Sequence, residues 1–274
     1  SYTPFEVAAQ TFTGTTTMDV VAIAGDTTFA DGADIITASA GTSNFRAGVN
    51  AGNSILSGGN YNTAVGDEAG TAITTGDNNV AVGYQAGAAV TTGVQNTLIG
   101  ALAGDALTNS VLNTAVGYQA LTSATTADLN TAIGANALST NILSDRNVAL
   151  GYNSLATHNL ASNGDSYNTA LGYSAGTAVT TGEKNTLVGG LAGDALTDAD
   201  FNTVVGMDAL SSDTLGSRST AIGVGALNAQ NFTSATDSYN VAVGMNAGNA
   251  VTTGVENTFI GGLAGDAVTT GGSN

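Results

Sequence analysis

Residues 96–108 read NTLIGALAGDALT, and nearly the same stretch returns at 185–197 (NTLVGGLAGDALT) and at 257–269 (NTFIGGLAGDAVT). A stretch written three times with few residues able to do chemistry indicates a repeated structural unit. Its head, the motif Asn-Thr-Ala-Val-Gly, recurs at a regular interval of 17 residues. Copies begin at residues 62, 79, 96, 113, 130, 147, 168, 185, 202, 219, 240 and 257, and a degenerate copy begins at residue 44. Two intervals, 147 to 168 and 219 to 240, contain four extra residues.

The repeat length predicts the fold class. Seventeen residues are too few for a helix–turn–helix repeat, and the motif combines β-forming residues with Gly and Asn, which mark turns. At about 3.3 Å per residue, one unit could complete one coil of a narrow solenoid whose coils stack about 4.8 Å apart. We therefore expect an all-β, parallel β-solenoid (β-roll) of 17-residue coils over residues 44–274. Residues 1–43 carry no clear copy and are expected to be an attachment or capping segment.

Two positions of the unit hardly vary. Counting the Asn of the motif as position 1, position 5 is Gly in all twelve copies, which predicts a bend or a close approach of another backbone. Position 1 is Asn in every copy except that at Ser219. The Asn side chains could form a hydrogen-bonded ladder from coil to coil, or Asn could simply be a turn residue. Asn274 stands where another copy would open, so we expect the array to continue beyond it.

Positions 3 and 4 are both apolar, although neighbouring residues of a strand point to opposite faces. One face can fill the core of the solenoid, and the other requires a partner surface. We therefore expect a homo-oligomer, with a trimer as the preferred state, in which position 4 fills the core and position 3 meets another copy. The larger side chains expected at that interchain contact are Leu98, Leu187, Val204 and Phe259. The reverse assignment stays open.

Composition excludes several classes of function. The formal net charge of −17 argues against binding nucleic acid or anionic lipid, and no apolar run is long enough to predict insertion into a membrane. The chain has no Cys and one His, so thiolate chemistry and a Ser-His-Asp triad have no support. We expect no enzyme activity, cofactor or metal. The position-10 acids Asp105, Asp194 and Asp266 are read as solvated surface groups, with a cation held across a trimer axis as the alternative.

The two insertions resemble each other. ATHNLASNGDSY (156–167) and NAQNFTSATDSY (228–239) align position by position, and insertions in a solenoid form loops that leave the stack. They could be structural bulges, or loops that recognise a glycan or protein. The candidate recognition residues are His158, Asn159, Leu160, Tyr167, Asn231, Phe232 and Tyr239. We expect His158 itself to be an exposed loop histidine.

The repeat NTAVGYQAG resembles the NSVAIG-type repeats of trimeric autotransporter adhesin heads. It is more similar to the N-T-A-V-G-Y-Q-A-G/L arrays, with T-T-G spacers, of tail-fibre and appendage proteins of marine bacteriophages. This resemblance covers residues 44–274. It implies a structural fibre segment of a virion appendage that contributes to host attachment, with other virion proteins and a host surface glycan or protein as partners.

Two alternatives remain. A trimeric adhesin head on a bacterial surface would share the architecture. An ice-binding solenoid could use the Thr ladder at position 2, although Val80, Val148 and Val241 interrupt that ladder and the strand would have to face solvent.

Overall fold

The structure, a computed structural model, describes residues 39–274, and within this range the chain is all β, without a helix. The expected attachment or capping segment, 1–43, lies outside the described residues apart from its last five. The remainder is a parallel β-solenoid with one short strand at the same place in every coil. The fold class expected from the repeat length is therefore confirmed.

Seventeen short strands follow one another along the solenoid. They are β1 (Phe45–Ala47), β2 (Thr63–Val65), β3 (Val80–Val82), β4 (Thr97–Ile99), β5 (Thr114–Val116), β6 (Thr131–Ile133), β7 (Ser144–Asp145), β8 (Val148–Leu150), β9 (Gly164–Asp165), β10 (Thr169–Leu171), β11 (Thr186–Val188), β12 (Thr203–Val205), β13 (Gly216–Ser217), β14 (Thr220–Ile222), β15 (Thr236–Asp237), β16 (Val241–Val243) and β17 (Thr258–Ile260). Thirteen of them form one sheet whose strand order is the chain order, with β7–β9 and β13–β15 as separate pairs. All pairings are parallel.

The strands stack position on position. Thr97 pairs with Thr114 and Ile99 with Val116, an offset of one 17-residue unit. The offset becomes 21 across each insertion, where Val148 pairs with Thr169 and Thr220 with Val241. The insertions therefore leave the main ladder in register. The degenerate copy at residue 44 is also a coil, because its strand β1 pairs with β2.

Each strand of the main sheet is only three residues long because Gly follows it at position 5. Gly117 has a φ of +134°, and a Cβ there would lie 2.7 Å from the carbonyl carbon and oxygen of Gly134 in the next coil. Both the backbone angle and the space therefore require glycine at this position. Further left-handed residues occur at positions 7, 9 and 17 of most coils, so that each coil turns several sharp corners.

The Asn at position 1 forms the predicted ladder. In Asn96, Nδ2 donates to Oδ1 of Asn79 (3.1 Å) and to the carbonyl of Ser110 (2.8 Å), while its own Oδ1 accepts the backbone N–H of Asn113 (3.0 Å). The ladder residues are buried along the whole array. Each Asn thus joins two coils and also ties its strand to the opposite side of its own coil.

The ladder also decides which apolar position faces inward. Because the Asn side chain points into the coil, position 3, two residues further along the strand, points inward as well. Our assignment of position 3 to an interchain contact is therefore wrong: Leu98, Leu187 and Val204 are 0% exposed and Phe259 is 6% exposed within a single chain. They fill the solenoid's own core. Positions 2 and 4 point outward, as in the reverse assignment.

The rest of the core is thin and is packed by complementary pairs. Position 8 is mostly Ala, and position 9 is either Gly or Leu. Where position 9 is Gly, position 12 carries Ile, Val or Leu; a Cβ on Gly70, for instance, would lie 2.7 Å from Cδ1 of Ile73. Where position 9 is Leu, position 12 is small or polar. These position-12 residues are Ala124, Asn141, His158, Asp213 and Gln230. Positions 9 and 12 therefore share one volume of the core.

Candidate interaction face

The outward side of the main sheet is the most unusual surface of the described chain. We define the strand face as the side chains at positions 2, 4 and 6 of each coil together with position 17 of the coil before. All exposed large hydrophobic side chains of residues 39–274 lie on it except Leu56, Ile142 and Leu263. With thirteen strands about 4.8 Å apart, the face is about 58 Å long. At most about 20 Å wide, the face has an area of roughly 1,000 Å², on which the exposed apolar side chains are interspersed with Thr and other polar groups.

Charge is distributed unevenly around the coil. The described residues contain 16 acidic side chains, of which only Asp67 and Glu256 lie on the strand face. Three of the chain's four cationic side chains, Arg146, Lys184 and Arg218, lie there. Counting only the side chains at these positions, the face carries a formal charge of about +1 (three cations minus two acids) on a chain of net charge −17, and each of its cations pairs with an acid directly beside the face. Repulsion between two copies is thus weakest across this face.

Four of the remaining acids, Asp77, Asp128, Asp145 and Asp200, lie at position 16, next to the strand face, and hydrogen-bond to the backbone of the coil before. Oδ1 of Asp128 accepts the backbone N–H of Val111 in the coil before, at 2.8 Å. Oδ1 of Asp145 likewise accepts the backbone N–H of Asp128, at 2.7 Å. Partial burial raises the pKa of Asp145 and of Asp200, the main cause being desolvation of the carboxylate. These acids have a structural role in joining coils.

Along one edge of the strand face, cations and aromatic rings alternate from coil to coil. The sequence of this column is Arg146, Tyr167, Lys184, Phe201, Arg218 and Tyr239. The guanidinium of Arg218 lies 4.7 Å from the ring centroid of Phe201, and Nζ of Lys184 lies 5.1 Å from it on the neighbouring coil. Such contacts stabilise exposed rings by about 0.5–1 kcal/mol each. These contacts therefore hold the aromatic rings in fixed positions although the rings are half exposed.

The opposite edge of the face, at position 6, carries Tyr and Met side chains. Tyr152 and Tyr173 stack with their centroids 5.6 Å apart and an angle of 14° between the ring planes, and both are exposed. Met207 and Met245 continue the column and are exposed as well. Tyr and Met are enriched in protein interfaces, so this edge also has the composition of a contact surface.

The two insertions are tied to the preceding coil. In the first, strand β9 pairs with β7 and Oδ1 of Asp165 accepts from Nε of Arg146 at 2.7 Å. The second repeats this arrangement, with β15 paired to β13 and Asp237 lying 3.0 Å from Nε of Arg218. The candidate recognition residues Tyr167 and Tyr239 are exposed at the base of these insertions, beside the acids.

The other recognition candidates are placed less favourably. Asn231 is exposed, and Asn159 and Leu160 are half-buried. Phe232 is buried, because its side chain turns toward Gly216 of the preceding coil. The insertions therefore do not present these residues as one continuous surface.

The expectation for His158 is wrong. It occupies position 12, which points into the core, and its side chain is 0% exposed. Nε2 lies 2.9 Å from Oγ of Ser166, and desolvation lowers the pKa of the ring to about 4. The insertion begins after this residue, so His158 is a core histidine in the neutral form at pH 7.

The position-10 acids show no convergence within one chain. Oδ1 of Asp105 accepts the hydroxyl of Thr122 in the next coil at 2.5 Å. Burial raises the pKa of Asp194, with desolvation as its largest cause. Within residues 39–274, no group of three or more His, Cys, Asp or Glu side chains is arranged to hold a metal ion. The same range contains no helix with the length and apolarity needed to cross a bilayer.

No protein-family model, curated protein or solved structure matches this chain. The geometry of the strand face is therefore the main basis for a functional proposal.

Proposed function

We propose that this chain is a structural fibre segment of a virion appendage, such as a phage tail or capsid fibre, that contributes to host attachment. It acts as a homotrimer whose chains meet through the strand face. The observation that carries the proposal is the strand face itself, on which the exposed apolar side chains are concentrated and from which the acids are nearly absent.

The size and composition of the face favour association with further copies. An interface of standard size buries about 800 Å² per partner, and the strand face offers about 1,000 Å². Residues such as Leu150 and Leu171, 41% exposed in one chain, would be removed from water. Since each fully buried side chain of this kind contributes about 1.5–3 kcal/mol, a seam repeated over many coils would be strong.

The interior of the coil suits a mechanical role. The Asn ladder and the parallel backbone hydrogen bonds connect every coil to the next along the axis. A stack in which each coil contacts mainly its neighbours is extended rather than globular. Three such stacks joined along their length would form a stiff rod, which is what an appendage needs to hold its tip away from a particle.

The seam is tested by placing acids on it. Replacing Leu150 and Leu171 by Asp in neighbouring coils should give a folded monomer, because carboxylates would be buried against other copies without partners. The control replaces the exposed residues Thr75 and Thr92, on another side of the coil, by Asp. We expect the control to keep the native mass in size-exclusion chromatography with light scattering. Equal masses for the two variants would contradict the proposed seam.

The location is tested separately. Antibodies against the chain should label fibres on intact virions, and mass spectrometry should detect it in purified particles together with other virion proteins. Labelling confined to the envelope of bacterial cells would instead support the trimeric adhesin head on a bacterial surface.

A role in ice binding is the second candidate. The outward orientation of position 2 favours it, because the Thr ladder, for example Thr97, Thr114 and Thr131, lies on the open side of the sheet in strict register. The same face cannot bind ice and be buried in a trimer. Thermal hysteresis from a monomeric protein, lost when these Thr residues are replaced by bulkier Tyr, would support ice binding and exclude the trimer seam.

A further inference from the structure

The near-identity of the coils creates a problem of register. The stretch at 96–108 differs from that at 185–197 at only two positions, 99 and 101. A coil that stacked on the wrong neighbour would still pair Asn with Asn and Gly with Gly. Repeat proteins commonly misassemble in this way, so something in the chain must distinguish one coil from another.

We propose that two pairs of coils, 130/147 and 202/219, are register keys: buried polar residues and an Arg–Asp pair fix which coil stacks on which. Each key consists of an insertion coil and the coil directly before it. Side chains with polar groups at position 12 occur only in these four coils of the described array, as Asn141, His158, Asp213 and Gln230, whereas the other coils have Ile, Val, Leu or Ala there.

The buried contacts of the second key join its two coils specifically. Oδ2 of Asp213 accepts from Nε2 of Gln230 at 2.6 Å, and Oδ1 accepts the backbone N–H of Phe232 at 3.0 Å. Nε2 of Gln230 also donates to Oγ of Ser219 at 2.8 Å. Asp213, Gln230 and Ser219 are each no more than 1% exposed. If coil 219 stacked on coil 185 instead, Gln230 would face Leu196 and would lose its partner.

Ser219 belongs to the same network. It is the single departure from Asn at position 1, and its Oγ lies 2.6 Å from Oγ of Ser238 in the insertion. Oε1 of Gln230 accepts from Nδ2 of Asn240, which resumes the ladder in the following coil. The break in the ladder is thus filled by groups of the second insertion coil itself, Gln230 and Ser238.

The first key uses different residues in the same places. Asn141 bonds to the backbone N–H and carbonyl of Ser144, at 2.8 and 2.9 Å, and Oγ of Ser144 accepts the backbone N–H of Leu160 in the insertion coil, at 2.8 Å. His158 bonds to Ser166 within the insertion coil, as Asn141 bonds within its own coil, so the contact between Ser144 and Leu160 is the one of these that joins the two coils. All four polar residues are fully buried.

The exposed Arg–Asp ion pairs favour the same stacking of coils as the buried contacts. Arg occurs at position 17 only in coils 130 and 202, directly before the insertion coils, whose Asp165 and Asp237 accept from Arg146 and Arg218. A slip of one coil would separate both charged pairs. Buried polar groups can contribute specificity rather than stability, and each buried hydrogen bond lost on slipping would lower the slipped population roughly tenfold.

The test replaces the second key by apolar pairs that the chain already uses. This apolar variant carries four substitutions. L210G and D213L reproduce the pair Gly193 and Leu196, and L227G and Q230V reproduce the pair Gly248 and Val251. Since the chain has no cysteine, engineered pairs report register without background. T214C/N231C reports the native stack, in which Oγ1 of Thr214 donates to Oδ1 of Asn231. T197C/N231C reports the slipped stack, because these residues are natively two coils, about 9.6 Å, apart.

After unfolding and refolding under oxidising conditions, the native chain should form only the T214C/N231C crosslink. The apolar variant should show a fraction of T197C/N231C crosslink at least roughly tenfold higher than the native chain. The matched control carries L121G/A124V, which repacks positions 9 and 12 of coil 113 without removing polar groups. Its reporter pair for a slipped stack is T108C/I142C, on the coils before and after, and it should form no crosslink. Complete native crosslinking in the folded apolar variant would overturn the proposal.

If circular dichroism shows that the apolar variant does not fold, variants of the exposed Arg218–Asp237 ion pair test the proposal instead. R218A/D237A should raise the slipped crosslink, whereas E183A should not, because the Glu183 carboxylate pairs with Lys184, the adjacent residue of the same coil. Equal slipped fractions in these two variants would contradict the proposal.

Discussion

Replacement of Asn113 by Ala tests the ladder as the main connection between coils. Oδ1 of Asn113 accepts the backbone N–H of Asn130 at 3.0 Å, and Nδ2 donates to the carbonyl of Ala127 at 2.8 Å and to Oδ1 of Asn96 at 3.2 Å. All of these residues are 0% exposed. Truncation leaves the Asn130 N–H and the Ala127 carbonyl without partners, while Oδ1 of Asn96 still accepts the backbone N–H of residue 113.

Each buried group left unpaired costs about 1–3 kcal/mol, so the expected loss is about 4 kcal/mol for the two. A solenoid opens locally, so a single melting temperature is a poor measure. Native-state hydrogen exchange is the appropriate assay: amides of β5 and β6 should exchange about a thousandfold faster, at 1.4 kcal/mol per factor of ten. The exposed Asn109 provides the control, and N109A should change stability by less than about 0.5 kcal/mol. Acceleration below tenfold in N113A would refute the ladder as a stabilising element.

Three further changes address other features. Gly117→Ala should destabilise its coil by several kcal/mol, on the order of 3, because the Cβ would meet Gly134 and φ is +134°; native stability in a hydrogen-exchange or urea experiment would contradict the corner geometry. Leu187→Ala should cost about 2–5 kcal/mol by leaving a cavity in the thin core, whereas an effect below about 1 kcal/mol would contradict its place there. His158 has a pKa of about 4 in the fold, below the ordinary 6.5, so the stability it confers is complete above pH 6.5 and falls as pH decreases toward 4, by about 3 kcal/mol. H158A should remove that pH dependence from urea titrations, and an unchanged profile would contradict the burial of the ring.

The repeat predicts the coil, the parallel pairing and the glycine corner, and it offers the Asn ladder as one of two interpretations of position 1. These features depend on local residue preferences that recur in twelve copies of the unit, so variation in a single copy does not obscure them. The direction of positions 3 and 4 was assigned wrongly because both are apolar and periodicity alone cannot separate the two faces. Two signals could have decided it: Ala dominates position 3, as a narrow core requires, and a buried Asn at position 1 imposes the same direction on position 3.

The insertions were harder to interpret from sequence. His158 and Phe232 look like exposed loop residues, yet His158 is buried because position 12 points into the core, and Phe232 is buried because its side chain lies against Gly216 of the preceding coil. Asp213 is acceptable in the core because its carboxylate accepts the backbone N–H of Gly216 and, from the next coil, the backbone N–H of Phe232 and the amide of Gln230. Such partners depend on the three-dimensional stacking of two coils and leave no periodic signal in the sequence.

The molar mass of the unsubstituted 274-residue chain at sedimentation equilibrium tests the proposed association most directly. One chain has a mass of 26.7 kDa, so a trimer has a mass of 3 × 26.7 = 80.1 kDa. The account predicts a single species near 80.1 kDa, in which a cysteine introduced at Val116 of the strand face is protected from thiol reagents until the protein is unfolded. A single species of 26.7 kDa with that cysteine freely reactive would contradict the claim that the strand face joins copies of this chain.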